Sequence, residues 1–144
     1  MWDSSMTIML LEGTRDTLYM TLLATFFGYV FGLPMGIALM VTAKDGIQPS
    51  SRGGQRVYAV IYKILDVIVN ITRSIPFLIL LILVIPLTKL IVGKSYGSAA
   101  TIVPLTIAAA PFIARMVESS LKEVDRGVIE AAQSMGASTG RIIW

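Results

Sequence analysis

The chain has 144 residues, 55% of them hydrophobic and 15% charged, with 12 Lys and Arg against 9 Asp and Glu for a formal net charge of +3, and a mean hydropathy of +0.76. This balance excludes an ordinary soluble domain and marks a membrane protein, while the absence of cysteine and histidine removes disulfides, thiol nucleophiles, imidazole bases and the usual transition-metal ligands. The positive excess is not a nucleic-acid signal, because Lys and Arg lie between apolar stretches, where a membrane protein keeps them for orientation.

Charges are absent from Thr17 to Ala43, from Ser74 to Thr88 and from Ser95 to Ala114. A helix needs about 20 apolar residues to cross a bilayer core, so the first and third stretches suffice alone and the second suffices when extended backwards. The expected architecture is all-α and polytopic, with spans near 17–43, 57–88 and 95–117 followed by a polar helical segment over 121–144.

Before the first span, the patch within MTIMLLEGT is expected to lie along the membrane surface. The span itself is retained rather than cleaved: its apolar run is too long for a signal h-region and follows Asp16 instead of a basic segment. It carries Gly28, Gly32 and Gly36 four residues apart, a doubled GxxxG row that places three backbone-exposing positions on one helix face. That row reads either as a close-packing face or as the ordinary glycine content of membrane helices. Pro34 is expected to kink the same helix.

Lys44 to Arg56 is a polar connector with Gly, Pro and Ser where helices end. A helix from Val57 to Thr88 would be roughly 48 Å long against a core of about 30 Å, so its first turns must protrude. Lys63, Asp66, Asn70 and Arg73 recur on one face of it. Two readings of the stripe stay open: a hydrophilic lining near a membrane mouth, carried by Asp66, Asn70 and Arg73, or an interfacial helix start with a Lys63–Asp66 ion pair. Gly93 to Ser95 spells the tail of a phosphate-binding loop, but position 88 is Thr where glycine is required, and an apolar helix precedes it where a strand is needed. Nucleotide binding by this chain is rejected. The third span has Pro104 and Pro111 seven residues apart in an Ala-rich setting, which suits either a flexible lining or packing between close neighbours.

Lys44, Arg52 and Arg56 in the first connector and Arg115, Lys122, Arg126 and Arg141 in the tail outweigh Arg15, Lys89 and Lys94 on the other side. The positive-inside rule then places the N-terminus outside and the closing segment in the cytoplasm. From Leu121, apolar residues recur at Val124, Val128, Ala132 and Met135 opposite Glu123, Arg126, Glu130 and Ser134, an amphipathic helix outside the membrane. Gly136 is placed to stop it in a left-handed conformation and Ser138 to cap a following helix. A polar helix offered to the cytoplasm suits docking on a soluble partner, though an ordinary surface helix would show the same pattern.

EAAQSMG, with Glu130, Ala131, Ala132 and Gly136, resembles the EAA loop of ABC-importer permeases, and RSIPFLILL, IVPLTIAAAPFIARMVE and GVIEAA are similar to the methionine-uptake branch of that family. The resemblance covers nearly the whole chain from Thr17. It implies a partial permease domain whose closing segment is a coupling helix seated in a groove of a cytoplasmic ATPase. A second permease copy and an extracytoplasmic substrate-binding protein would complete the assembly. ATP would be bound by the partner ATPase, with no cofactor, metal or catalytic residue in this chain, and the location would be the bacterial inner membrane. In the family the pattern runs on past Gly136 to an Ile-x-Leu-Pro stretch and further membrane helices, so a chain ending at Trp144 is expected to be a fragment. From the residues alone, a membrane scaffold without transport and a secondary carrier using the polar stripe are the alternatives.

Overall fold

The computed structural model describes residues 3–44, 46–47 and 54–144, and among them the ordered elements are helices. The first, α1 (Ser4–Thr42), begins where the Asp3 side chain accepts a hydrogen bond from the Ser4 N–H at 2.8 Å. It runs through Pro34 without interruption. At 39 residues it is about 58 Å long, well beyond the roughly 30 Å of a hydrocarbon core. The expected boundary near 17 is therefore corrected for the helix, which starts at Ser4 and takes in the MTIMLLEGT patch and the charges that follow it. The charges at Glu12, Arg15 and Asp16 interrupt the apolar run without interrupting the helix, because charge breaks hydropathy and not helical backbone geometry, and Glu and Arg are good helix formers.

The single helix expected for the second span is also corrected. Instead of one helix over 57–88, the chain forms α2 (Gln55–Ser74) and α3 (Phe77–Val92), bent by 112° at the junction. Ile75 is extended, at φ −76° and ψ 122°. The cause is Pro76, which lacks an N–H and pushes the residue before it out of the helical region. Arg56 belongs to α2 rather than to the connector, while Asp45 and residues 48–53, Arg52 included, lie outside the described residues.

The third span is α4 (Ser98–Lys122), longer at its C-terminal end than the expected 95–117 and containing Pro104 and Pro111. Arg115, assigned above to the tail, lies inside it. Two short helices follow, α5 (Arg126–Ser134) and α6 (Thr139–Ile143); the amphipathic helix thus starts at Arg126 rather than Leu121. By length and composition α1 and α4 suffice to cross a membrane, and the bent α2–α3 pair counts as a third crossing if taken together.

Helices α1 and α4 run parallel, since Gly28, Gly32 and Gly36 meet successively later residues of α4. Where α4 begins, the Ser98 hydroxyl donates to Asp16 Oδ2 of α1 at 2.8 Å. Residues 4–15 of α1 accordingly project about 18 Å beyond the start of α4. Helix α2 lies antiparallel to α4, with Tyr62 opposite Glu118 and Asn70 opposite Arg115. All three helices meet at a small core of Leu39, Val69 and Ala114, each fully buried, with Met35, Tyr62 and Leu65 packed around it. In contrast, α3 leaves Leu78, Ile82, Leu83 and Leu90 exposed, an apolar surface that lipid or a further helix can cover.

Candidate functional site

The candidate functional residues fall in three places. The first is the α1–α4 seam. A Cβ built on Gly32 would lie 2.7 Å from the Ala110 carbonyl oxygen, and one on Gly36 would lie 2.6 Å from that of Ala114; Gly28 is looser, at 3.1 Å from Ala109 Cβ and Ile113 Cδ1. Side chains at Gly32 and Gly36 would therefore hold the two backbones apart. All three glycines are buried against α4, in the close approach that small residues permit between membrane helices.

The second is a polar network between α2 and α4. Arg115 donates through Nη2 to Asp66 Oδ1 at 2.6 Å and to Asn70 Oδ1 at 3.0 Å, and through Nη1 to Glu118 Oε2 at 2.6 Å. Lys122 Nζ donates to Glu118 Oε1 at 2.7 Å, and the Tyr62 hydroxyl reaches the same oxygen at 3.3 Å. The Lys122 ammonium also lies 5.9 Å from the Tyr62 ring centroid, within cation–π range. Glu118 is 1% exposed. Both its oxygens are bonded to cations, which is what a buried carboxylate requires.

Asp66 and Asn70 from the predicted stripe are thus brought together by Arg115. Arg73 and Lys63 are exposed and join none of these bonds. The Lys63–Asp66 pair that the spacing suggested is replaced by the pair between Asp66 and Arg115. Tyr62, Arg115, Glu118 and Lys122 were missed as site residues. A signal existed, because Arg115, Glu118 and Lys122 stand at i, i+3 and i+7 on α4, one helical face with a cation, an anion and a cation. What local spacing does not supply is the partner helix.

The third is the closing segment. The Asp125 side chain accepts from the Gly127 N–H at 2.6 Å and starts α5, satisfying one of the orphan donors of its first turn. At the other end Gly136 adopts φ +82°, the Gly136 N–H bonds the Gln133 carbonyl at 2.9 Å, and the Ala137 N–H bonds that of Ala132 at 3.0 Å. These two bonds define a Schellman stop. Ser138 then stands at the N-cap of α6 without a side-chain bond. Glu130, Ala131 and Gly136 are exposed and Ala132 is half-buried. None of the residues in α5 is buried, and Val128 and Met135 leave 62% and 83% of their surface open. The helix is therefore built, capped and terminated with its apolar and polar faces both largely uncovered.

Residues 53–144 match the family model described as the binding-protein-dependent transport system inner membrane component. The D-methionine transport system permease protein MetI of Salmonella typhimurium is 48% identical over 141 residues, covering 98% of this chain and 61% of that protein. MetI of Escherichia coli strain K12 is 50% identical over 135 residues, covering 94% of this chain and 58% of that protein. A solved inward-facing conformation of the MetNI methionine ABC transporter superposes with a TM-score of 0.88 at 47% identity, over 99% of this chain and 62% of that one. The chain thus spans about three fifths of the length of the relatives it matches. With the family match extending from before α2 to the last residue and taking in both the polar network and the α5 arm, the chain belongs to the inner-membrane-component family of binding-protein-dependent transport systems.

Proposed function

We propose that this chain forms part of the membrane path of an ATP-binding-cassette importer and moves methionine or a related amino acid inward, using a separate ATPase. The observation that carries the reading is α5: a capped amphipathic helix with its faces open, presenting Glu130, Ala131 and Ala132 at the end of a membrane helix. Such a face fits a groove on a soluble partner. Its small residues allow close approach, and its carboxylate offers a charge to an Arg or Lys opposite. The similarity to MetI and to the MetNI transporter supports the choice of an ATPase as that partner and of methionine as the substrate class.

In this reading the chain itself is no enzyme and binds no cofactor, ATP being held by the ATPase. The permease works as a homodimer and receives its substrate from an extracytoplasmic binding protein. Lys44, Arg56, Lys122, Arg126 and Arg141 cluster at the C-terminal ends of α1 and α4, at the start of α2 and along the closing arm. The positive-inside rule makes that side cytoplasmic and leaves the N-terminus outside. A secondary carrier would need the polar stripe of α2 free to meet solute, whereas Asp66 and Asn70 are engaged by Arg115.

Glu130→Lys reverses the charge of the docking face without touching a membrane helix. Co-purification of the ATPase with the permease should fall by roughly tenfold or more, as when a charge at an interface is made repulsive, with membrane insertion unchanged. Undiminished co-purification would overturn the role of α5.

A further inference from the structure

The polar network stands at the point where α2 leans on α4, and the same end of α4 leads into α5. Only residues 123–125 separate Lys122 from the start of α5. Glu118 lies one turn before Lys122, buried, with Arg115 on one oxygen and Lys122 and Tyr62 on the other. Through Arg115 it reaches Asp66 and Asn70. Five hydrogen bonds therefore cross or brace one short length of the α2–α4 contact, while the α1–α4 contact at the same depth is packed by glycine, its one side-chain bond, from Ser98 to Asp16, lying at the far end. Twelve residues after Tyr62 on α2 comes Ser74, and then the bend at Ile75 and Pro76.

We propose that Glu118 is a positioning residue that makes α2 travel with α4 as one body, so that displacement passed from α5 through residues 123–125 into α4 is delivered to the bend at Ile75–Pro76, about which α3 pivots. This deepens the transporter reading and rests on it. Apolar contacts slide at little cost because they are non-directional. Charge-assisted hydrogen bonds with fixed geometry resist sliding, and a carboxylate held between two cations fixes the register of one helix on the other. The α2–α4 contact has both kinds, with Val69 and Leu65 in the apolar part, whereas α3 carries no charge except Lys89 near its far end. The register lock is therefore on α2, whereas α3, with Leu80, Val84 and Thr88 buried, meets α4 through side chains that carry no charge and can slide on it.

The test uses the assembled complex of permease and ATPase in proteoliposomes, with spin labels attached through cysteines introduced at exposed positions of a chain that has none of its own. One pair is Lys63 and Ser119, across α2 and α4; the other is Ile82 and Ser119, across α3 and α4. In the otherwise unmodified complex, the first distance should hold steady between nucleotide-free and ATP-trapped states while the second shifts. Glu118→Gln keeps the size of the side chain and removes its charge. It should broaden the Lys63–Ser119 distribution and lower methionine transported per ATP hydrolysed by roughly two- to thirtyfold, the range seen when one member of a coupling network is altered. Asp66→Asn should act in the same direction, and the double variant should lose little more than the worse single one.

A Lys63–Ser119 distance that changes with nucleotide in the unmodified complex would overturn the proposal, as would transport and hydrolysis falling in parallel in Glu118→Gln. An unmodified complex that neither binds the ATPase nor stimulates hydrolysis would instead overturn the functional reading beneath it. The ratio of transport to hydrolysis separates the two, since a merely structural loss lowers both rates together.

Discussion

Helix α4 is held to α1 and to α2 by opposite means. Against α1 it packs backbone on backbone, with three glycines aligned on Ala109, Ala110, Ile113, Ala114 and Val117; against α2 it relies on a buried carboxylate and its cations. In lipid the hydrophobic effect does not distinguish a helix neighbour from an acyl chain, so association depends on close packing and on polar bonds. This molecule uses the first where two helices run side by side without a break, and the second where a helix leads to a bend. Close packing spreads a contact over many small terms, while a charge network concentrates it in a few residues whose removal is felt at once.

The contrast can be broken from either side. Gly36→Leu should have the largest effect, because its Cβ alone would sit 2.6 Å from the Ala114 carbonyl and the rest of the side chain has no room. A loss of about 3 kcal/mol, at the upper end for overpacking, should appear in unfolding from mixed micelles. Gly28→Ala in the same assay should cost much less. Next comes Glu118→Ala, which leaves Arg115 and Lys122 without their shared anion. Their side chains are 22% and 39% exposed, so solvent relieves part of the penalty, and about 2 kcal/mol is expected rather than the full cost of an unpaired buried charge. Equal stability of Glu118→Ala and the parent would show that the network holds nothing.

The smallest effect sharpens the comparison. Thr106 Oγ1 is buried in α4 and has no hydrogen-bond partner among the described residues. Thr106→Val removes an unsatisfied group while keeping the shape, so stability should be unchanged or higher by about 0.5 kcal/mol. A clear destabilisation would mean that the hydroxyl has a partner in the membrane and belongs to the polar side of the account.

Sequence exposed the seam more readily than the network. Glycines at a spacing of four announce a face whatever covers it, and Gly136 followed by Ser138 announces a stop and a restart. The apolar runs pointed to the helices that are long and apolar enough to cross a membrane, though their ends moved: α1 reached back to Ser4, past the charges at 12, 15 and 16. Pro76 was visible, and its effect on Ile75 follows from sterics, yet it sits inside an unbroken apolar run whose hydropathy reads as one span. The partners of Asp66 and Asn70 were the least legible. Helical spacing places them on one face, but Arg115 lies 45 to 49 residues away, and no local period encodes such a contact. The Glu130 face is a different case, since its shape was readable and its partner rests on similarity.

The central claim is that α5 is the surface through which a soluble ATPase grips this chain, and a photo-crosslinking residue placed at Ala131 tests it most directly. Ala131 is exposed, and no residue of its helix is buried, so the probe reports what lies opposite without disturbing the helix bundle. The account predicts a single adduct with the ATPase subunit in membranes that hold the assembled complex, lost when Glu130→Lys is added. Adducts with lipid or with the permease alone, in membranes where the ATPase is present, would contradict it.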